Sequence, residues 1–264
     1  MPKARPPLAI LSALLDEQRG LLAQLDDAHK IRHAGRTVWQ GHWMGLPVVL
    51  ALTRVGKVAA ATTTTMLIER FGVREVVFTG VAGGVGDGVA VGDVVVATEF
   101  VHHDMDSRPL FPRYEIPLYQ RSTLTCDSTL TALLLEAAHA GLTSSTGHFH
   151  LEKPITDQRL HHGLIASGDR FVASAQDCAE LVRGLQDAGH TPLAVEMEGA
   201  AIAQVCHDYQ IAFAAMRTIS DRADDQAHVD FSAFVRDVAS PYALNIIGNF
   251  VEMLSKQKLS AHDQ

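Results

Sequence analysis

Several features that define other protein classes are missing from this 264-residue sequence. Its three cysteines, Cys126, Cys178 and Cys206, are scattered and form no C-x-x-C pair, which argues against a disulfide scaffold and a zinc site. No run approaches the ~20 apolar residues that a membrane-spanning helix needs. The formal charge is −8 and there is no long basic block, so we do not expect a non-specific nucleic-acid-binding surface.

Histidine, by contrast, is abundant, with 14 copies. The neighbouring histidines at His102–His103, His148–His150 and His161–His162 lack the spacing of H-E-x-x-H or zinc-finger sites, and acidic loop partners are sparse. The sequence therefore predicts no metal site, and no cofactor is expected.

The N-terminus places basic residues before the apolar run Leu8–Leu15, as a secretory signal does. The run is short, no small-x-small cleavage site follows it, and Asp16 and Glu17 end it. We therefore predict a buried first strand and a cytoplasmic protein.

Short apolar runs alternate with longer amphipathic ones, which is the pattern of an α/β protein. The predicted strands are Leu8–Leu11, Pro47–Leu52, Glu75–Phe78, Asp93–Thr98, Gly163–Ala166, Pro192–Val195 and Phe213–Thr218. The predicted helices are Asp16–Leu25, Lys57–Phe71, Ser128–Ala140, Ala175–Ala188, Gly199–Tyr209 and Phe231–Lys256. No repeat or linker is visible, so residues 1–264 are predicted to form a single domain with its core at about 8–255.

Two features lie where α/β sheets place ligands, at the ends of predicted strands. Glu17 follows the first strand, although it could equally be a solvated residue in the first turn of a helix. The glycine-rich segment Thr79–Gly84 lets the backbone approach a ligand closely. It does not match the G-x-G-x-x-G dinucleotide motif, and a tight turn between strands is an equal alternative.

Carboxylates also interrupt the apolar sequence near the C-terminus. Glu196 and Glu198 flank Met197 and could accept the two hydroxyls of a ribose, or they could be solvated acids at a strand end. Asp221 follows the apolar strand Phe213–Thr218 and is a candidate general acid, with a helix N-cap as the alternative. Phe171 follows a glycine turn and could stack on a purine, unless it is a core residue.

In their order and spacing, these elements resemble the nucleosidases that cleave 5′-methylthioadenosine and S-adenosylhomocysteine, within the nucleoside phosphorylase/hydrolase superfamily. The resemblance runs from about Leu8 to Leu254. Its anchors are VGKVAAA (Val55–Ala61), TGVAGG (Thr79–Gly84), GDVVV (Gly92–Val96), SGDRF (Ser167–Phe171), VEMEGAAIAQVCH (Val195–His207) and RTISDRADDQAH (Arg217–His228). It implies a three-layer α/β/α fold around a mixed, partly closed sheet, and a homodimer. We predict that Lys57–Phe71 and the 101–122 loop form the interface of this dimer.

The resemblance also implies catalytic roles. Glu17 matches the carboxylate that orients and deprotonates the attacking water, and Asp221 matches the acid that protonates N7 of adenine. Glu198, with Met197 beside it, matches the site of the ribose diol.

Further residues match the positions that surround the substrate. Phe171 corresponds to the ring stacked on adenine and Val172 to the contacts with the base edge. Phe231 lies near the ribose and the 5′ substituent, and Leu14 and Val55 line that apolar end.

The sequence also departs from the family pattern. Val81 replaces a serine on the ribose face, and Arg54 stands where many members carry a small residue. Because the 101–122 loop differs too, a futalosine-type nucleosidase is an alternative. A phosphorylase needs several arginines around phosphate, but only Arg19 accompanies Glu17, which favours hydrolysis. A non-catalytic nucleoside-binding module is a third possibility.

Overall fold

The computed structural model describes residues 5–144, 158–223 and 231–260. Within these residues ten strands form one sheet. They are β1 (Leu8–Ser12), β2 (Asp26–His33), β3 (Arg36–Trp43), β4 (Leu46–Leu52), β5 (Glu75–Gly84), β6 (Val94–His102), β7 (Thr123–Thr125), β8 (Leu160–Ser167), β9 (Pro192–Glu196) and β10 (Ala212–Asp221). The helices are α1 (Lys57–Phe71), α2 (Ser128–Ser144), α3 (Ala175–Asp187), α4 (Gly199–Tyr209), α5 (Phe231–Phe234) and α6 (Ser240–Ser260), with a π-helical turn at Val235–Ala239.

The sheet closes on itself over half of its width. Its order is β10-β6-β8-β9-β5-β1-β4-β3-β2, and β10 also pairs with β5, so five strands form a barrel from which β1, β4, β3 and β2 extend. Strand β1 runs parallel to β4 and β5, while β10 and β6, and β5 and β9, are antiparallel. The predicted mixed, partly closed sheet is therefore confirmed.

Helices cover both faces of the sheet because its central strands are apolar on both sides. Within β6, Val95 packs in the core beneath α1 and α4, whereas Val94 and Val96 pack in the core beneath α2 and α6. A continuous apolar run of this kind is typical of a strand buried on both faces. The three-layer α/β/α arrangement follows.

One predicted helix is absent, and some strands were not predicted. The predicted helix Asp16–Leu25 is a series of turns that ends in a short 3₁₀ turn at Leu22–Gln24, because Gly20 adopts φ +85° and breaks a helical path. Strands β2, β3 and β7 were not predicted. The alternative of a tight turn at Thr79–Gly84 is wrong, because this segment is the second half of β5. In the last sequence anchor, residues 224–228 lie outside the described residues.

The carboxyl ends of the barrel strands converge at one edge. Strand β5 runs parallel to β1 and β10, and its final residues Gly83 and Gly84 pair with Val195 and Ala194 near the end of β9. Strand β8 runs parallel to β9 and ends beside it. This edge is where an α/β sheet offers its side chains to a ligand.

None of the helices in the described parts of the chain combines the length and hydrophobicity that a bilayer crossing needs.

Candidate active site

One cavity lies at the edge where the strand ends converge, and all ten residues singled out from the sequence line it. It encloses about 760 Å³ of space, including its opening to solvent. The ten residues are Leu14, Glu17, Val55, Val81, Phe171, Val172, Met197, Glu198, Asp221 and Phe231. They come from seven separate segments of the chain, so the fold is what brings them together.

Glu17 is held at the bottom of the cavity by the turn that follows β1. The N–H groups of Ala13 and Leu14 each donate to its Oε2 over 2.8 Å, and the N–H of Val81 donates to its Oε1 over 3.1 Å. The residue is only 4% exposed. Burial raises the pKa of Glu17, although the positive charge of Arg217 and the three N–H donors oppose the rise. A fixed carboxylate with a raised pKa suits a general base.

The glycine at position 80 is required by the close approach of two charged groups. A Cβ there would lie 2.7 Å from Glu17 Oε1 and 3.0 Å from Arg217 Nη1. Both distances are too short for a side chain to fit without displacing them. The glycine-rich segment therefore makes room for the carboxylate, and it does so within a strand.

Arg217 and Glu196 form a buried ion pair beside Glu17. Arg217 is 1% exposed, its Nη2 donates to Glu196 Oε2 over 2.6 Å, and its guanidinium carbon lies 3.6 Å from the centre of the Phe78 ring. Sequence reasoning missed this pair, although an arginine inside the apolar strand β10 signals a buried partner.

Glu196 is occupied by contacts within the protein. Besides Arg217, it accepts hydrogen bonds from Ser167 Oγ and from the N–H groups of Glu198 and Gly199. The two glutamates therefore differ in their environment: Glu196 anchors the end of β9, and Glu198 is the one with fewer partners.

Glu198 occupies the N-cap position of α4 and is 5% exposed. Its Oε1 accepts a hydrogen bond from the N–H of Gly56 over 2.8 Å. Burial and the negative charge of Glu196 raise the pKa of Glu198, while the Gly56 N–H and Arg217 oppose the rise. A carboxylate in this position can accept a pair of hydroxyl donors.

Asp221 ends β10 just after an irregularity in its pairing with β5. The N–H of Ala223 donates to its Oδ1 over 2.8 Å, and Ser220 Oγ donates to its Oδ2 over 2.7 Å. Because Asp221 lies in the strand, the alternative of a helix N-cap is wrong. Its side chain lines the cavity from the end of β10, whereas Glu17 lies in the turn after β1.

Two aromatic rings form one wall of the cavity. Phe171 is 47% exposed, which is incompatible with a core residue, and it meets Phe231 edge-on with ring centres 6.4 Å apart. Val172 is buried beside Phe171, while Val55 is half-exposed. The wall offers a flat apolar face on which a purine ring can stack.

Three arginines lie on or beside the segments that supply the cavity, and each is engaged with another group of the described structure. Arg19 pairs with Asp16 at 3.3 Å, Arg54 donates to the Gly35 carbonyl over 2.5 Å, and Arg217 pairs with Glu196. One further arginine, Arg170, lines the cavity and pairs with Asp177 at 3.2 Å. The described residues do not assemble several free arginines around this cavity.

Among the described residues, no group of three or more His, Cys, Asp or Glu side chains could hold a metal ion. His148 and His150 lie outside the described residues. No disulfide joins Cys126, Cys178 and Cys206, all of which are described.

Comparisons with known proteins point to one family. The sequence model of the phosphorylase superfamily matches residues 7–252. The 5′-methylthioadenosine/S-adenosylhomocysteine nucleosidase of Shewanella denitrificans is 32% identical, over 93% of this chain and 99% of the relative. The same enzyme from Neisseria meningitidis, in complex with methylthio-immucillin-A, has a TM-score of 0.81 at 32% identity, covering 94% of this chain and 100% of its own. Futalosine hydrolase of Helicobacter pylori has a TM-score of 0.80 at 30% identity, covering 94% and 97%.

Proposed function

The chain belongs to the phosphorylase superfamily, and we propose that it is an N-glycosyl hydrolase of 5′-methylthioadenosine and S-adenosylhomocysteine. It hydrolyses the N-glycosidic bond and releases adenine and the 5-thioribose product. The observation that carries this proposal is the single cavity that joins two separately held carboxylates, Glu17 and Asp221, with Glu198 and the Phe171 ring.

The two carboxylates divide the chemistry between them. Asp221 donates a proton to N7 of adenine and draws electrons out of the bond between C1′ and N9. That bond breaks early and leaves a ribosyl group with oxocarbenium character. Glu17 takes a proton from the water that attacks C1′. An acid and a base on separate elements follow the logic of inverting glycoside hydrolysis, and each positioned proton transfer contributes ~10²–10⁴-fold.

The remaining residues hold the substrate. Glu198 accepts hydrogen bonds from the ribose hydroxyls with its second oxygen, since Gly56 already occupies the first. Adenine stacks on Phe171, and the backbone of Val172 contacts the base edge.

The apolar 5′ end of the substrate contacts a second group of side chains. Leu14, Val55 and Phe231 line this end, and Met197 packs beside the ribose. Val81 presents a methyl surface where a serine would present a hydroxyl, and its N–H is already donated to Glu17.

Water rather than phosphate is the proposed nucleophile. A phosphorylase needs several arginines converging on phosphate, and the described cavity offers only Arg170, which is paired with Asp177. The futalosine-type alternative is supported by the similarity to the Helicobacter pylori futalosine hydrolase. It concerns the 5′ substituent and leaves the reaction type unchanged.

We propose in addition that the chain is a single domain, that it acts in the cytoplasm and that it forms a homodimer. The homodimer is supported by exposed apolar side chains on the segments predicted for the interface. Val58 on α1 is 78% exposed, and Leu110 and Leu118 in the 101–122 loop are 82% and 86% exposed. Burial of such side chains against a second copy is favourable.

The function is tested by incubating the purified protein separately with 5′-methylthioadenosine, S-adenosylhomocysteine and futalosine and following the free base by chromatography. We expect adenine from the first two. Cleavage of futalosine alone would favour the alternative, and binding without any cleavage would favour the binding module. A Glu17→Gln protein purified in parallel controls for contaminating nucleosidases, since its own turnover is expected to be ~10²–10⁴-fold lower.

A further inference from the structure

Three loops that carry different parts of the cavity meet at the N-terminus of α1. Val55 lines the cavity, Gly56 is the N-cap of the helix, and Lys57 is its first residue. Gly56 provides no side chain to cap the helix and adopts φ +96°. The first N–H groups of a helix have no partner within the helix, so partners must come from elsewhere in the chain.

Those partners are two carboxylates from distant segments. Glu198 Oε1 accepts the N–H of Gly56 over 2.8 Å, and Asp169 Oδ1 accepts the N–H of Lys57 over 2.7 Å. The helix N-terminus favours negative charge, so both contacts are electrostatically favourable. One carboxylate belongs to the proposed ribose site, and the other immediately precedes the Arg170–Val172 segment that lines the base side of the cavity.

A third carboxylate, that of Asp104, connects Lys57 with Asp169. Asp104, in the loop that follows β6, accepts the Lys57 ammonium at Oδ1 over 2.5 Å and the N–H of Asp169 at Oδ2 over 2.9 Å. Burial would raise the pKa of Asp104, but the hydrogen bonds from Lys57 and Asp169 outweigh it and lower the pKa. The Lys57 and Asp104 side chains are 19% and 31% exposed.

The local packing leaves the loop little room to adopt another position. The N–H of His103 donates to the Ser167 carbonyl over 2.9 Å, and the N–H of Gly168 donates to the Glu196 carbonyl over 3.1 Å. A Cβ at Gly168 would lie 2.3 Å from the His103 ring, so the loop passes directly against it. Gly168 is therefore held in place, and the side chain of the next residue, Asp169, reaches the first N–H of α1 directly.

We propose that Asp169, Lys57 and Asp104 are positioning residues that hold the Phe171-bearing loop against the N-terminus of α1. This clamp fixes the spacing between the base subsite at Phe171 and the ribose subsite at Glu198, because both are tied to adjacent N–H groups of one helix. The proposal rests on the proposed function for the identity of the base. The clamp affects substrate binding rather than proton transfer.

The sharpest test compares Asp169→Ala with Asp169→Asn. Asparagine keeps an oxygen that can accept the Lys57 N–H, whereas alanine removes it. A charged hydrogen bond of this kind, discounted for its exposure, corresponds to a change of about 5- to 10-fold in binding. We expect alanine to raise the KM for 5′-methylthioadenosine and the Kd for adenine by about that factor, with kcat within about 2-fold, and asparagine to restore both.

A matched control and a double variant separate positioning from a general loss of stability. Asp187→Ala changes the same residue type at an exposed position on the last turn of α3, and it should leave KM and Kd unchanged. Phe171→Ala weakens binding by itself, and adding Asp169→Ala should weaken it little further, since the clamp acts through Phe171. If Asp169→Ala fails to fold, Lys57→Met compared with Lys57→Arg tests the clamp through Asp104, because methionine removes the ammonium that Asp104 accepts and keeps the backbone N–H that Asp169 accepts.

The KM for 5′-methylthioadenosine and the Kd for adenine together distinguish failure of the clamp from failure of the proposed function. Adenine binding is measured by calorimetry and requires no cleavage. A protein that binds adenine without hydrolysing the nucleoside would overturn the proposed function. In that case the Kd for adenine still tests the clamp. An Asp169→Ala protein with unchanged Kd and KM, a loss confined to kcat, or an asparagine variant as weak as alanine would overturn the clamp. Wild-type protein that binds no adenine would overturn both.

Discussion

At the scale of single residues, the chemistry of Glu17 depends on its surroundings. An exposed carboxylate is too weak a base to activate water efficiently near neutral pH, and a buried one becomes a stronger base as its pKa rises. The three N–H donors and Arg217 keep Glu17 ionisable despite its burial. The same contacts fix the direction in which its oxygens point.

Replacing this carboxylate with its neutral amide should remove the base and preserve the shape of the site. We expect Glu17→Gln to lower kcat for 5′-methylthioadenosine by ~10²–10⁴-fold, because one positioned proton transfer is lost. Steady-state adenine release measures the effect. Asp16→Asn, at the half-exposed neighbour that pairs with Arg19, should retain full turnover. A Glu17→Gln enzyme of normal kcat would exclude Glu17 as the base.

The raised pKa of Glu17 also predicts the pH dependence of the reaction. Glu17 must be ionised to accept a proton, so activity rises with pH as the carboxyl loses its own proton. Since its pKa lies above the ordinary value of 4.5, the acidic limb of kcat/KM should lie above pH 4.5. A rate that stays flat below that pH, with circular dichroism showing a folded protein, would contradict the assignment. Glu198→Gln should keep this limb, although Glu198 also has a raised pKa.

Sequence alone could locate these acids but not their partners. Glu17, Glu198 and Asp221 stand out because each interrupts or ends an apolar run. The pairing of Arg217 with Glu196 depends on β9 and β10 meeting across the barrel, and the contacts of Asp104 and Asp169 depend on where α1 begins. None of these contacts leaves a periodic pattern in the sequence.

At the scale of elements, the buried strands were predictable and the exposed ones were not. The Val94–Val96 run is apolar on both faces, and this pattern predicts a buried strand from the sequence alone. Strand β2, by contrast, is almost wholly exposed and carries charged residues along its length, so its sequence shows no apolar face. The segment Asp16–Leu25 has an amphipathic pattern, which is why a helix was predicted there. It forms turns instead, because Gly20 has a positive φ and the Glu17 side chain is bound by the N–H groups of the preceding turn.

Strand β5 gives an element-scale prediction. Its Gly80 has no room for a side chain because Glu17 and Arg217 lie against its Cα. Gly80→Ala should displace Glu17 and reduce kcat/KM by at least about 10²-fold, since a misplacement of about 1 Å costs that much. Gly248→Ala, where the added Cβ would meet Trp43 at an ordinary 3.8 Å, is the matched control and should be fully active. Normal activity in Gly80→Ala would show that Glu17 can move without consequence.

At the scale of the whole molecule, barrel closure is what makes the site. Glu17 follows β1, Glu198 follows β9 and Asp221 ends β10, and only the pairing of β5 with β1, β9 and β10 brings their ends to one cavity. The fold class followed from the alternation of strands and helices together with the family resemblance. The positions of the residues that form each wall of the cavity could be determined only from the structure.

The exposed apolar residues of α1 and the 101–122 loop lead to a prediction about assembly. We expect light scattering after size exclusion to give twice the chain mass of 28.5 kDa. Leu118→Asp together with Val58→Asp should shift the protein toward the monomer, because charges would be buried at the interface. A wild-type mass of one chain at micromolar concentration would contradict the homodimer.

The most direct test of the central claim is to run the reaction with 5′-methylthioadenosine in ¹⁸O-labelled water, with and without phosphate, and to identify the sugar by mass spectrometry. Attack by a water that Glu17 activates predicts adenine and free 5-methylthioribose carrying one ¹⁸O at C1, formed at the same rate in both conditions. A phosphorylated sugar that forms only when phosphate is present would contradict hydrolysis and place the enzyme among the phosphorylases of its superfamily.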